Sequence, residues 1–118
     1  MFDHVTIHVS DRPASERFYD TVLPVLGLER RRDPVWSEWG DFSVSDVTGE
    51  HPLTQRLHIA FLAGSREVVD AFWRAGTEAG YRDDGAPGPR PQYTPDYYGA
   101  FLLDPDGNNI EVVNHNRG

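Results

Sequence analysis

The sequence repeats itself. A shift of 54 positions, from His4 to His58, brings residues 4–23 and 58–77 into register. Few residues are identical in the two segments, but the order of apolar and polar positions is shared throughout. Such similarity is typical of a duplicated supersecondary unit whose copies pack against each other. The repeat therefore predicts a single domain over residues 1–118, with one module at about 1–50 and a second at about 55–118.

Each copy begins as a strand and continues as a helix. In the first copy, Val5, Ile7 and Val9 alternate with polar residues, the two-residue period of a strand with one apolar face. Asp11 and, in the second copy, Ser65 precede helical patterns and can accept hydrogen bonds from the first helical turns. Short strands follow each helix, at about 28–32, 35–39 and 41–47, and again at about 81–83, 98–103 and 109–114. The predicted fold class is α+β, with two tandem βαβββ modules.

Two segments of the second copy are expected to be irregular. The segment DPDG, at 104–107, consists of residues that strongly favour a tight turn, and it predicts that the last two strands form a hairpin. Residues 84–97 are rich in proline and glycine and show no periodicity, so we predict a long loop. A loop of this length in a compact domain is usually functional.

Composition limits the functions that are open to the chain. It has no cysteine, which excludes disulfides, a thiol nucleophile and thiolate metal sites and favours the cytoplasm. The net charge of −8 disfavours nucleic acid and anionic membranes as partners, because both are polyanions. Neither a transmembrane helix nor a signal peptide is predicted. A cationic small molecule or a metal ion fits this charge.

Two histidines and one carboxylate stand out against this background. His4 and His58 occupy equivalent positions in the two copies, and Glu111 lies in the last strand between apolar residues. If the modules pack about a pseudo-twofold axis, their polar faces meet, and two imidazoles with a carboxylate form a metal triad that leaves positions open. Counting from the turns makes Ser43 the counterpart of Glu111, which indicates three protein ligands. Each residue alone is more often an ordinary solvated side chain; only their symmetric placement favours the metal.

The sequence also resembles a known family. DHVTIHVSD at the start, LHIAF in the middle and FLLDPDGNNIEVV near the end are similar to the vicinal oxygen chelate superfamily, which includes glyoxalase I, fosfomycin-resistance thiol transferases, extradiol dioxygenases and bleomycin-resistance proteins. The resemblance covers nearly the whole chain. It implies a cup-shaped mixed sheet built from the two modules.

The resemblance implies a site as well as a fold. His4, His58 and Glu111 match the family's metal ligands, with one divalent ion (Mn, Fe, Ni or Zn) for each site. Glyoxalase I has a fourth ligand where this chain offers Ser43 or Ser45, so the ligand set is closer to the fosfomycin-resistance and dioxygenase branches. In many short members two chains build each cavity. The resemblance therefore implies a homodimer in which His4 of one chain completes the site of the other.

Further residues are weaker candidates for the same cavity. His8 and Tyr98 are candidate catalytic groups, since a histidine can transfer protons near neutral pH. The candidate substrate-binding residues are aromatic or positively charged side chains and a C-terminal histidine: Trp39, Arg90, Tyr93, Tyr97 and His115, with Trp36 beside Trp39 as a second aromatic wall. Core packing or simple solvation is the competing interpretation for all of them.

Three functions remain open at this level. The first is a metal-dependent enzyme that binds a small molecule through two adjacent oxygens, with a reaction of the lyase or isomerase, thiol-transfer or dioxygenase type. The second is a bleomycin-resistance-type protein that binds a cationic aromatic molecule without catalysis. The third is a protein whose metal ion orders the dimer.

Overall fold

The two copies of the repeat fold into the same series of elements in the computed structural model, which describes residues 1–116. The first copy contains β1 (Val5–Val9), α1 (Arg12–Val22), β2 (Arg30–Arg32), β3 (Trp36–Trp39) and β4 (Phe42–Asp46). The second contains β5 (His58–Leu62), α2 (Arg66–Glu78), β6 (Asp83–Pro89), β7 (Tyr98–Leu103) and β8 (Asn109–Asn114).

Each copy forms a mixed four-stranded sheet with its own helix. The strand order is β1-β4-β3-β2 in the first sheet and β5-β8-β7-β6 in the second. In both sheets the first strand pairs parallel with the last, and the other pairs are antiparallel. The predicted fold of two tandem βαβββ modules is thus confirmed. β1 and β5, the first strands of the two copies, each lie at one edge of a sheet.

The helices begin where the sequence predicts. The Asp11 carboxylate accepts a hydrogen bond from the Ala14 backbone N–H at 3.1 Å, and the Ser65 hydroxyl accepts one from the Val68 N–H at 3.3 Å. Both contacts satisfy donors that a helix N-terminus leaves without partners. Gly80 follows α2 with a φ of +92°, a conformation that glycine adopts without strain. Neither helix in the described part of the chain is long and apolar enough to cross a membrane.

One hydrophobic core joins the two modules. Phe42 of the first sheet packs edge-on against Phe61 of the second, with ring centroids 5.3 Å apart. Gly76 of α2 lies so close to β7 that an added Cβ would sit 2.3 Å from the Leu102 side chain. Core residues therefore come from both copies, and they include Ile7, Val9, Phe18, Tyr19, Val22, Trp39, Val44, Val69, Phe72, Ile110 and Val112.

The loop predicted at 84–97 is only partly a loop. Residues 83–89 form β6, which pairs antiparallel with β7 and interrupts the ladder at two register shifts. Gly85, with a φ of +156°, lies at one of these irregularities. β6 is an edge strand, where proline is tolerated because one side of the strand needs no ladder hydrogen bonds. The strand predicted at 81–83 accordingly begins at Asp83 and extends further.

A buried carboxylate on α1 connects the helix to β2 and β3. Glu16 accepts hydrogen bonds from the Ser37 hydroxyl and, at 3.0 Å, from the Arg32 guanidinium. Burial acts to raise the pKa of Glu16, but the Ser37 hydrogen bond and the nearby guanidinium groups of Arg30, Arg32 and Arg12 outweigh it. The pKa therefore lies below its ordinary value of 4.5, which means that folding favours the charged form.

Glu16→Gln is expected to make stability less dependent on acid pH. A carboxylate with a lowered pKa in the folded state stabilises the protein above its unfolded pKa, and this contribution disappears as the pH falls through the lower folded pKa. At pH 7 the variant should lose about 1.5–3 kcal/mol of unfolding free energy, since the hydrogen bonds to a charged acceptor become neutral ones. Urea unfolding from pH 7 down to pH 3 measures the difference. A difference that stays constant below pH 4.5 contradicts the expectation.

Candidate functional site

His58 and Glu111 meet on the face of the second sheet that points away from its helix. β5 and β8 are parallel neighbours, with His58 beside Asn109 and Ala60 beside Glu111. This register brings His58 Nε2 to 2.8 Å from Glu111 Oε1. The Glu111 side chain is only 1% exposed, while that of His58 is 60% exposed. An imidazole open to solvent therefore lies against a buried carboxylate.

The second oxygen of Glu111 has a different partner. The Tyr97 hydroxyl donates a hydrogen bond to Glu111 Oε2. Burial, together with this hydrogen bond, raises the pKa of Tyr97 above its usual value, so the hydroxyl keeps the proton that it donates. The backbone of Gly99 leaves space for the contact, because a Cβ at this position would lie 2.9 Å from Oε2 and 3.1 Å from the Tyr97 ring.

The first module has no equivalent of this carboxylate. Ser43 pairs with Thr6 in the first sheet as Glu111 pairs with Ala60 in the second, which makes Ser43 the counterpart of Glu111. Its hydroxyl lies 2.8 Å from the hydroxyl of Thr6. Ser45 is two residues further along β4, and its hydroxyl donates to the Val35 carbonyl.

The two histidines of the predicted triad line different cavities within one chain. His4 borders a cavity of about 460 Å³, together with Asp3, Thr6, Trp36, Glu38, Gly40, Asp41 and Ser43. His58 borders a cavity of about 400 Å³, together with Asp84, Tyr93, Phe101 and Asn109. Across residues 1–116 a single chain brings no three histidine, aspartate or glutamate side chains together in a group that could hold a metal ion. Within one chain, His58 and Glu111 are thus two of the three ligands predicted for the metal.

The weaker catalytic candidates lie away from the His58–Glu111 pair. Tyr98 is next to Tyr97 in the chain but faces α2, where its hydroxyl donates to Asp70 at 2.6 Å. That hydrogen bond is the main cause of a raised Tyr98 pKa. His8 stacks on His51 of the connection between the modules, with ring centroids 4.7 Å apart.

The tryptophans of β3 divide between the core and the cavity. Trp39 is fully buried beside Tyr19, and its indole N–H donates to Asp20 at 3.0 Å. The structure therefore places Trp39 in the core, not in the substrate cavity that the sequence suggested for it. Trp36, on the opposite face of the same strand, is 40% exposed and lines the cavity of His4.

The remaining candidates lie in or beside the loop that precedes β7 and at the C-terminal end of β8. Tyr93 lines it and is 59% exposed. The Arg90 guanidinium covers the Phe101 ring at 5.4 Å, and two of its N–H groups donate to the backbone carbonyls of Pro89 and Ala86. His115 packs edge-on against Tyr97 at 5.3 Å.

Three residues of this face were not predicted from the sequence. Phe101, Asp84 and Asn109 line the cavity of His58, and Phe101 pairs directly with Glu111 across β7 and β8. The alternation along β7 could have predicted Phe101, because residues two apart in a strand share one face and Phe101 follows Tyr97 and Gly99 at this spacing. Asp84 and Asn109 are held together by a side-chain hydrogen bond of 2.5 Å between strands that are distant in sequence.

Sequence and structure comparisons agree with this architecture. The sequence model of the Glyoxalase/Bleomycin resistance protein/Dioxygenase superfamily matches residues 1–112. The chain belongs to this superfamily. A glyoxalase/bleomycin resistance protein from Albidiferax ferrireducens T118 is 31% identical, with 97% of this chain and 98% of that chain covered and a TM-score of 0.82. The resemblance noted in the sequence is thereby confirmed.

More distant solved structures share the fold. A lactoylglutathione lyase from Agrobacterium tumefaciens is 20% identical over 97% of this chain and 92% of that chain, with a TM-score of 0.70. The oxidase ChaP-H2 is 24% identical, with 97% of this chain and 92% of that chain covered and a TM-score of 0.67. No curated protein sequence matches this superfamily member significantly. One scaffold thus occurs in proteins that are named for different chemistries, and the function must be argued from the site.

Proposed function

We propose that this protein is a metal-dependent enzyme of the superfamily that binds a small molecule through two adjacent oxygens at His4, His58 and Glu111. The observation that carries the proposal is the 2.8 Å contact between His58 Nε2 and the buried Glu111 Oε1. Two nitrogens and one carboxylate oxygen are ligands that suit Mn²⁺, Fe²⁺, Ni²⁺ or Zn²⁺ and leave coordination positions open. The donor set therefore fits such an ion.

The third ligand is proposed to come from a second copy of the chain. His4 Nδ1 lies 2.8 Å from the Asp3 carboxylate, which leaves Nε2 available to a metal. β1 and β5 are edge strands of their sheets within the described residues. Leu62 on β5 is 72% exposed, and Phe2, which precedes β1, is 83% exposed. Exposed apolar residues beside sheet edges are typical of a surface that a partner covers. A homodimer that joins the cavity of His4 to the cavity of His58 completes the triad.

The chemistry follows from the residues that border the site. A bound divalent ion supplies Lewis acidity that stabilises negative charge developing on the substrate oxygens. Tyr93 and Phe101 flank His58 and provide apolar and aromatic contacts for the organic part of the substrate. Asn109 lines the same cavity, and its Oδ1 has no hydrogen-bond partner among the described residues. Membership of a superfamily that is named for glyoxalases and dioxygenases supports a reaction of lyase or dioxygenase type.

The direct test is metal uptake by protein prepared without a metal-affinity tag. We expect about one divalent ion per chain in titrations with Mn²⁺, Fe²⁺, Ni²⁺ and Zn²⁺. Sedimentation in EDTA distinguishes the roles of the ion. A dimer that persists without metal supports the enzyme, whereas dissociation favours an ion that orders the dimer. Absence of uptake for all four ions overturns the proposal.

Sharing of the site between chains predicts complementation between two inactive variants. His4→Ala and His58→Ala homodimers each lack a ligand in both sites and should bind no metal. Co-expressed, they should regain about one quarter of the wild-type sites, because half of randomly paired dimers are mixed and each mixed dimer holds one intact site. Metal content per chain measures the recovery. No recovery in verified mixed dimers overturns the sharing of the site between chains.

A second candidate function rests on the cavity of His4. Its lining includes three carboxylates, from Asp3, Glu38 and Asp41, together with the exposed Trp36. This combination of negative charge and an aromatic face suits a cationic aromatic molecule that is bound without catalysis. Tryptophan fluorescence with a cationic acridine dye tests it. Binding that is equally tight with and without EDTA favours sequestration, and binding that requires metal favours the enzyme.

A further inference from the structure

Tyr97 has a fixed position in the chain beside the candidate metal ligands. It closes the turn between β6 and β7, where its carbonyl accepts from the Arg90 N–H at 2.9 Å and its N–H donates to the Thr94 carbonyl at 3.2 Å. Its ring packs edge-on against Tyr93 and His115, with centroids 5.0 Å and 5.3 Å away. Both backbone and ring are therefore held before any ligand binds.

The two carboxylate oxygens of Glu111 have different hydrogen-bond partners. Oε2 accepts from Tyr97, and Oε1 faces His58 Nε2. Because Glu111 is fully buried, loss of this donor would remove the hydrogen bond that Oε2 makes with the protein. The side chain would then turn to satisfy Oε2, and Oε1 would leave the position in which it meets His58.

The backbone at position 99 leaves the space that this contact occupies. Gly99 lies beneath both groups, and any Cβ there would be 2.9 Å from Oε2 and 3.1 Å from Tyr97 Cε1. Gly99 does not have a positive φ, so its backbone conformation does not require glycine. A side chain at position 99 would instead push Glu111 Oε2 and the Tyr97 ring out of their present positions.

We propose that Tyr97 is a positioning residue for the metal site, which holds Glu111 Oε2 so that Oε1 and His58 converge on the ion. The inference rests on the proposed function, since it assigns a role towards the same metal. Tyr97 acts through Glu111 and is not itself a ligand. Partners that orient a metal ligand in this way usually contribute to affinity because they lower the cost of arranging the site.

Tyr97→Phe and Tyr98→Phe form a matched pair that tests this role. Each removes one hydroxyl from neighbouring positions, but the Tyr98 hydroxyl binds Asp70 on the helix side. Tyr97→Phe should weaken Co²⁺ binding by about 10–100-fold and change the visible absorption of the Co²⁺ protein, whereas Tyr98→Phe should leave both unchanged. The Co²⁺ spectrum reports ligand arrangement, which a loss of stability elsewhere in the fold does not alter.

A second variant keeps the test decisive. Gly99→Ala retains the Tyr97 hydroxyl but places a methyl group against it and Oε2, and it should weaken Co²⁺ binding in the same direction. Equal Co²⁺ affinity and spectra for wild type and Tyr97→Phe overturn the role of Tyr97 and leave the metal site intact. Failure of the wild type to bind Co²⁺ overturns the proposed function itself, and the role of Tyr97 with it.

Discussion

Glu111→Gln is expected to weaken Mn²⁺ and Co²⁺ binding by more than about 100-fold, the upper end of what loss of an orienting partner costs. The amide keeps the size of the carboxylate and can still pair with Tyr97 and His58, so the fold should remain. It removes the one negative charge that faces the ion at this position. Isothermal titration calorimetry on wild type and variant gives the change in affinity.

Asp84→Asn is the control for charge. It removes a carboxylate from the same cavity as His58, but one that hydrogen-bonds Asn109 and not the triad. Its effect on affinity should be small, since a solvated charge acts weakly through water. Similar losses in the two variants would show that general negative potential attracts the ion, and would count against Glu111 as a ligand.

Asp104→Ala is expected to cause the largest loss of stability, about 3 kcal/mol or more, because it leaves several buried donors without an acceptor. The buried carboxylate accepts from the backbone N–H groups of Asp106 and Asn108 and, at 2.7 Å, from the Tyr19 hydroxyl. Burial and the adjacent Asp104 raise the pKa of Tyr19 well above its usual value, so the hydroxyl remains a donor. Urea unfolding measures the loss.

Asp106→Ala is the matched comparison within the same turn. The Asp106 carboxylate accepts from the Ser10 hydroxyl and backbone N–H in an exposed contact. Because water can replace it, the expected loss is below about 1 kcal/mol. Equal destabilisation by the two substitutions would mean that Asp104 does not connect the β7–β8 turn to α1 in the way the hydrogen bonds indicate.

Local signals in the sequence were sufficient for most elements of the fold. β7 and β8 have the predicted bounds, and Asp11 and Ser65 cap the two helices as expected. These features depend on neighbouring residues, namely alternation along a strand, a side-chain oxygen at a helix start and turn chemistry. β6 was predicted only in part, at about 81–83, for the opposite reason. Its proline- and glycine-rich segment is a strand only because β7 supplies the ladder.

The repeat determined the topology and the list of candidate ligands, but only the tertiary structure decided which of them meet. His58 and Glu111 come together through the parallel register of β5 and β8, a pairing between residues 53 apart in the chain. His4, equivalent by sequence, lines another cavity because it precedes β1 of the other sheet, in which Ser43 is the counterpart of Glu111.

Neighbouring residues show the same division. Tyr97 and Tyr98 have the same side chain, yet one binds Glu111 and the other Asp70, and Trp36 and Trp39 separate into cavity and core. Alternation of apolar and polar residues in the sequence indicates that a strand has two different faces. Which face becomes the core depends on where the helix packs, and that is decided by contacts between residues far apart in the chain.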